Sequence, residues 1–312
     1  MKKKSWVSLI ISAAVLNETL PYLTFFCPFS YSMTVEGALQ SGRFELPGDV
    51  SSQFITGLLL ALPRLAGDSE IAVTTPLESR AYVELTRRVQ SDFGVGSEWR
   101  DGGQTLHIPG GQKIVSPDCL HIEGDWSHAA FYLTAGAIGR GEIRLTGLEP
   151  RSAQGDRAIV EILRDMGADI RWEGDALVSR ASRLHGLHVD CAQVPDLVPI
   201  LAVAMAAAEG ESRITGAARL RIKESDRLSA MAAALTAAGA DVTELPDGLI
   251  IRGGKPLHAA TVEGCNDHRI VMAMTIASAV ADGKLTVTDA EATAKSAPAF
   301  WQEFEHLGGL AR

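Results

Sequence analysis

Four runs of small apolar residues, each of helical length and each opened by an acid, recur along the chain. They are "GDVSSQFITGLLLA" at Asp49, "GDWSHAAFYLTAGAI" at Asp125, "PDLVPILAVAMAAA" at Asp196 and "NDHRIVMAMTIASAV" at Asp267, with the acids 76, 71 and 71 residues apart. Two other landmarks keep the same step. The bases Arg80, Arg151, Lys223 and Lys295 are separated by 71, 72 and 72 residues, and the glycines Gly94, Gly167, Gly239 and Gly308 by 73, 72 and 69. Within one period, an Asp or Ser caps a helix that is apolar all round and ends near a glycine such as Gly139 or Gly210. An alternating, β-branched strand follows, as in "EIAVTT", "EIRLTG", "SRITGA" and "KLTVTD". Then come the base, a more amphipathic second helix ("DRAIVEILRDMGADI") and short closing strands such as "LIIRGG" at 249–254.

The pattern predicts an α/β fold of repeated β-α-β-α-β-β units of about 72 residues, in three full copies and a shortened fourth. Residues 34–48, "TVEGALQSGRFELPG", read as the closing hairpin of a preceding unit. Helices apolar on every face belong in a core, with sheets outside them. Their N-termini, where backbone N–H groups and the helix dipole favour anions, are the expected place for chemistry.

Composition narrows the partners. A net charge of −9 in 312 residues disfavours nucleic-acid binding through bulk electrostatics, so any anion site must come from local clustering of bases. The four cysteines, Cys27, Cys119, Cys191 and Cys265, are far apart and without metal-ligand spacing, which predicts reduced thiols, no disulfide framework and no metal. The start, "MKKKSWVSLIISAAVL", has the basic and apolar regions of a signal peptide, but no small-residue cleavage site follows. The apolar run is too short to span a membrane. Residues 1–33 are therefore expected to be a leader that matches nothing else in the repeat, on a cytoplasmic protein without a membrane partner.

Polar residues fall at equivalent places in successive periods. At the first-helix openings are Ser51, Ser52 and Gln53, then Asp125 and His128, then Asp196, then Asp267 and Arg269. At the second-helix openings are Ser79, Arg80 and Tyr82, then Arg151, Gln154 and Asp156, then Lys223, Glu224 and Arg227, then Lys295. If the units share an orientation, these converge on a cleft of hydroxyls, bases and a few acids, suited to a polyol phosphate or a small dianion. Asp125 and Asp267 read first as helix caps, Asp196 by spacing alone as another, and His128 as structural. Arg269, a lone base leading an apolar helix, must meet solvent or an anion. The stretch "LRIKESDRL" (220–228) is the densest charge cluster of all, with both signs leading an uncharged alanine-rich helix.

In order and spacing, "GDVSSQF", "LESRAY", "EGDWSHAAF", "VPDLVPI", "RIKESDRL", "NDHRIVM" and "ATAKSAP" resemble the enolpyruvyl transferase family of 5-enolpyruvylshikimate-3-phosphate synthase over about residues 34–312. The resemblance implies a two-lobed, inside-out α/β barrel of six such units, of which about four are present here. It places the remnant of the N-terminal lobe at 34–122 and the C-terminal lobe at 123–312. It implies transfer of the enolpyruvyl group of phosphoenolpyruvate to the 5-hydroxyl of shikimate 3-phosphate with release of phosphate, by a monomer, without a metal or organic cofactor. Carried over by motif, Ser51, Ser52, Gln53, Ser79 and Tyr82 are expected to contact shikimate 3-phosphate, and Gln53 to reach phosphoenolpyruvate as well. Asp196 is expected to take the hydroxyl proton, with Lys223 on the same substrate. Glu224 is expected to protonate the enol methylene carbon, Arg227 and Arg269 to hold the phosphoenolpyruvate carboxylate, and Lys295 its phosphate.

Two family segments, of "GSKS…R" and "GNAGT…RP" type, have no counterpart, and Arg219 stands where some members carry a substrate-contacting Asn. The expectation is a chain lacking the family's N-terminal part, with weak or no activity by itself. The competing readings are a non-catalytic fragment that at most binds substrate, and UDP-N-acetylglucosamine enolpyruvyl transferase. The latter should carry a reactive Cys in a mobile loop.

Overall fold

The computed structural model describes residues 23–26, 32–35 and 37–311. The expected leader and Cys27 lie outside these residues, apart from β1 (Leu23–Phe26) and the start of β2 (Ser32–Val35), which pair antiparallel. Among the described residues no helix is long and apolar enough to cross a membrane. Packing divides the chain into two compact units, Met1–His121 and Ile122–Arg312.

The first unit holds one complete repeat: β3 (Arg43–Leu46), α1 (Ser52–Ala61), β4 (Ser69–Val73), α2 (Arg80–Asp92), β5 (Glu98–Arg100) and β6 (Thr105–Ile108). Its sheet has the order β3-β4-β6-β5, with β3 parallel to β4 and the remaining pairs antiparallel. This corrects the reading of 34–48 as the end of an earlier unit: its strand β3 opens this one. A helical crossover can join two parallel neighbours, which a hairpin cannot. The core under this sheet includes Ile55, Leu59, Leu62, Ile71, Val83, Leu106 and Ile108.

The second unit continues the repeat. It begins with α3 (Trp126–Ile138), β7 (Glu142–Leu145), α4 (Ile159–Asp165), β8 (Asp169–Glu173) and β9 (Ala176–Arg180), in a three-stranded sheet β7-β9-β8. Next are β10 (His188–Asp190), α5 (Val198–Ala207), β11 (Gly210–Thr215), α6 (Arg227–Ala237), β12 (Asp241–Leu245) and β13 (Gly248–Gly253). Their order, β10-β11-β13-β12, repeats the strand order of the first unit's sheet. Last are β14 (Leu257–Val262), α7 (His268–Ala277), β15 (Ala281–Val287) and α8 (Phe300–His306), with β14 parallel to β15. The sheets are open and separate among the described residues, with no closed barrel.

The three apolar helices α3, α5 and α7 pack against one another at the centre of this unit. In α5 every residue from Val198 to Ala206 is buried, as an uncharged helix without a polar face requires. The second helices end as the glycine spacing predicts. Gly94, Gly167, Gly239 and Gly308 have φ of 77°, 100°, 91° and 92°, the left-handed region that lets a chain leave a helix. Each donates its N–H three residues back, to Ser91, Arg164, Thr236 and Glu305. Gly139 caps α3 without a positive φ, and Gly210 opens β11, with Ala208 as the C-cap of α5.

The acids that open the first helices do different work. Asp125 caps α3, accepting from the N–H groups of Ser127 and His128, and Asp267 caps α7, accepting from Arg269 N. Asp49 is no cap: Ser51 takes that place on α1, while Asp49 accepts from the Thr75 hydroxyl at 2.7 Å. Asp196 is no cap either and lies in a 3-10 turn, Pro195–Leu197, ahead of α5.

Candidate active site

The charged positions of the second unit meet at the openings of α6 and α7. The approach to α6 separates into two sets of side chains. Arg221 faces outward. It pairs with Asp226 at 3.0 Å and Glu244 at 2.7 Å, and donates to the carbonyls of Leu245 and Pro246. Asp226 in turn caps α6 through Ser229 N. These contacts tie the loop to the β12–β13 hairpin and leave Lys223, Glu224 and Arg227 for the interior.

Arg227 is the centre of that interior, with its side chain only 2% exposed. Its Nε donates to Asp267 Oδ2 at 2.8 Å, Nη1 to Asp196 Oδ1 at 2.9 Å and Nη2 to Glu224 Oε2 at 2.7 Å. Such a guanidinium would be very costly to bury unpaired, and its rigid fork is suited to several carboxylates at once. Asp267, fully buried, also accepts from Ser225 Oγ at 3.0 Å, so one carboxylate fixes a helix N-terminus, a loop serine and the central arginine.

Around this centre lie three more cations. Arg269 donates to the Asp196 carbonyl at 3.1 Å and to Oδ2 at 3.2 Å. Lys223 Nζ is 3.9 Å from Asp196 Oδ1. Lys295, at the end of the 3-10 segment Ala290–Lys295, donates to Glu224 Oε1 at 2.6 Å. Four bases thus face three carboxylates, and the cluster keeps a net positive charge.

The electrostatics follow from this packing. Burial pushes the Asp196 carboxyl up, but the Arg269, Lys223 and Arg227 cations outweigh it and hold the group well below the usual carboxylate range. For Glu224, burial likewise opposes ionisation, and the bond from Lys295 and the Arg227 charge bring it down to about 2. Lys223 is lowered by burial, against the pull of Asp196, with Arg227 and Arg219 adding repulsion. His268, next to Asp267, is lowered by burial and by Arg269. Both carboxylates are therefore ionised at neutral pH and bind the cations that an external anion would need.

The first-unit residues assemble separately. Gly48 N and Thr75 Oγ1 are hydrogen-bonded at 2.9 Å, and Glu78 N donates to the Gly48 carbonyl, so the loops entering α1 and α2 run together. Gly264 N and Thr288 Oγ1 repeat this bond in the second unit at 3.1 Å. Ser51, Ser52 and Gln53 open α1, and Ser79, Arg80 and Tyr82 open α2. Ser79 is buried and has φ 53°, a left-handed conformation unusual for serine. Arg80 stacks over the Trp99 ring, 4.3 Å from its centroid.

Other sequence candidates are structural. His128 packs on Tyr132 and lies 3.5 Å from Glu303. Gln154 bonds to Trp126 N and the Gly124 carbonyl, and Asp156 accepts from the Ser127 hydroxyl. Arg219 is buried and donates to the Ala192 carbonyl at 2.7 Å. Among the described residues no group of three or more His, Cys, Asp and Glu is placed to hold a metal ion. Sequence reasoning saw Asp267 only as a cap; its pairing with Arg227, forty residues earlier, leaves no local signal in the sequence.

Comparison with known proteins gives concordant results. The sequence model of the family described as EPSP synthase (3-phosphoshikimate 1-carboxyvinyltransferase) matches residues 29–304. A protein of Clostridium novyi (strain NT) named 3-phosphoshikimate 1-carboxyvinyltransferase is 45% identical over 278 residues, 89% of this chain and 63% of the relative. One of the same name from Clostridium kluyveri is 46% identical over 280 residues, 89% of this chain and 64% of the relative. The chain thus spans somewhat less than two thirds of these relatives. A solved EPSP synthase of Acinetobacter baumannii superposes with TM-score 0.73 at 27% identity, covering 94% of this chain and 70% of that one. The enolpyruvyl transferase NikO of Streptomyces tendae superposes with TM-score 0.72 at 16% identity, covering 98% of this chain and 71% of that one, a likeness of fold.

Proposed function

The chain belongs to the EPSP synthase family, and on that premise we propose that it takes part in transferring the enolpyruvyl group of phosphoenolpyruvate to the 5-hydroxyl of shikimate 3-phosphate, with release of phosphate. The observation that carries the proposal is the convergence of Lys223, Arg227, Arg269 and Lys295 with Asp196 and Glu224 around the openings of α5, α6 and α7. Residues 123–312 are proposed as the C-terminal lobe and 34–122 as part of the other, in a cytoplasmic monomer that needs no metal or organic cofactor.

The roles follow from the chemistry. The hydroxyl oxygen adds to C2 of phosphoenolpyruvate while C3 gains a proton; loss of a C3 proton and cleavage of the C2–phosphate bond then restore the double bond. Asp196, ionised and beside Lys223, is the group assigned to accept the hydroxyl proton. Glu224 is the acid for C3. Arg227 and Arg269 hold the carboxylate and Lys295 the phosphate, as preorganised cations should where charge develops. Ser51, Ser52, Gln53, Ser79 and Tyr82 supply hydroxyl and amide contacts to shikimate 3-phosphate, and Gln53 also reaches phosphoenolpyruvate.

The cysteine-dependent alternative is not favoured. Cys265, near the α7 opening, has its thiol raised by burial and by Glu263, Asp289 and Asp267, the opposite of an activated nucleophile. Calorimetry with phosphoenolpyruvate in the presence of shikimate 3-phosphate tests the reading. Arg269→Ala should weaken phosphoenolpyruvate by about 1.5–3 kcal/mol, the scale of a charge-assisted hydrogen bond. Equal affinity in the variant, or no binding by the unaltered chain, would reject the assignment.

A further inference from the structure

Every cation of the cluster already faces a carboxylate of the protein, yet the three carboxylates are not equally fixed. Asp267 is fully buried and caps α7. Asp196 is gripped by Arg227 and Arg269 together. Glu224 differs from them in its place in the chain and its exposure, and shares with Asp196 the division of its two oxygens between two bases. It lies on the bend between the 3-10 turn Ala218–Ile222 and α6, outside any hydrogen-bonded ladder. Its side chain is 30% exposed. Its two oxygens divide between two bases on different elements, Oε1 to Lys295 at 2.6 Å and Oε2 to Arg227 at 2.7 Å. A carboxylate that bridges two cations in this way presents to them what two oxygens of a sulfate or phosphoryl group would present.

We propose that Glu224 is a placeholder for the incoming anion: anionic oxygens, both from one sulfate or one each from the carboxylate and phosphoryl groups of the substrate proposed above, take the outer donor of Arg227 and Lys295, and Glu224, displaced from both, takes up a proton from solvent. The displacement rests on geometry alone; the use of the proton rests on the function proposed above. Paired with its cations, Glu224 is a carboxylate and has no proton to give. Released beside a dianion, it has lost the charges that favoured ionisation and gained one that opposes it. The acid that C3 requires is then created by binding itself, on the group already next to the phosphate site. The exchange also balances charge. Four bases against three acids leave one net positive charge, and protonating Glu224 leaves two, which a dianion neutralises.

The groups facing Glu224 are Lys223 on its own bend, Arg227 on α6, Lys295 on the Ala290–Lys295 segment and His268 on α7, with Asp196 and Asp267 behind Arg227. Of these, His268 is the imidazole, a second group able to take a proton, so the experiment must separate it.

Sulfate is the probe, because it stays a dianion throughout the range and contributes no proton of its own. Its binding to the full chain is measured by calorimetry near pH 6 in buffers of different ionisation enthalpy, which counts protons. Uptake approaching one proton per sulfate is expected by linkage. Glu224→Gln should abolish that uptake and bind sulfate about tenfold more tightly, the factor that corresponds to one unit of relieved competition. His268→Asn should retain the uptake. Sulfate binding without proton uptake, uptake undiminished in Glu224→Gln, or no sulfate binding at all would overturn the placeholder. Phosphoenolpyruvate binding would still stand or fall on Arg269→Ala, so the two proposals fail separately.

Discussion

At the residue scale, the buried ion set around Arg227 explains why so many charges lead an otherwise uncharged helix. Lys223 keeps the base that every repeat places there, and Glu224 and Arg227 are additions of this one repeat. Asp267 is what makes Arg227 tolerable inside the protein. Asp267→Ala removes one partner of a buried pair and leaves the other charged, a loss of about 3–5 kcal/mol. Asp267→Asn keeps an acceptor for the cap and should cost less. Denaturant melts of both variants check this, and a loss under about 1 kcal/mol for the alanine would show that Asp196 and Glu224 suffice to hold Arg227. The sequence made Arg269 conspicuous, as a lone base before an apolar helix. It could not show that Asp267, two residues earlier, faces Arg227 forty residues away, because a cap and an ion partner have the same local signature.

At the element scale, the repeat itself was legible. Four glycines at near-constant spacing have similar positive φ and the same N–H bond, because a left-handed residue ends these helices and redirects the chain. Their replacement should not cost the same. A Cβ at Gly308 meets nothing within 4 Å, whereas at Gly239 it would lie 2.7 Å from His258 Cδ2. Gly308→Ala should lose about 1 kcal/mol from backbone strain alone, and Gly239→Ala distinctly more. Equal midpoints in urea would show that His258 yields freely. The strand at 43–46 was misassigned to a preceding unit, because a short strand carries no mark of its partner. Parallel pairing with β4, twenty-three residues beyond its end, is a fact of the sheet. Spacing also predicted Asp196 as a cap, but cations claimed it. Asp267 does both, capping α7 with one oxygen and pairing with Arg227 through the other, so a cap and an ion pair are not exclusive.

At the scale of the whole molecule, two separate cores follow from the two units. That of Ile122–Arg312 runs through α3, α5 and α7 and the sheets around them, while that of the first unit is a smaller set under one sheet. Local stability scales with buried apolar contact. Native-state amide exchange should therefore find α5 and α7 slowest and α1 opening at a lower free energy. A single common rate for both would mean that the units unfold as one.

The sequence by itself determined the α/β class, the period of about 72 residues, the buried and exposed helices, the glycine ends of the second helices and the family. These are set by residues close in the chain, where periodicity and glycine conformation act. Only the tertiary structure decided which strand opens each sheet, which acids cap and which pair, and that Glu224 bridges Lys295, seventy-one residues away, to Arg227. The reason is physical: burial turns a surface charge into one that must find a partner, and which partner is near depends on how distant repeats stack.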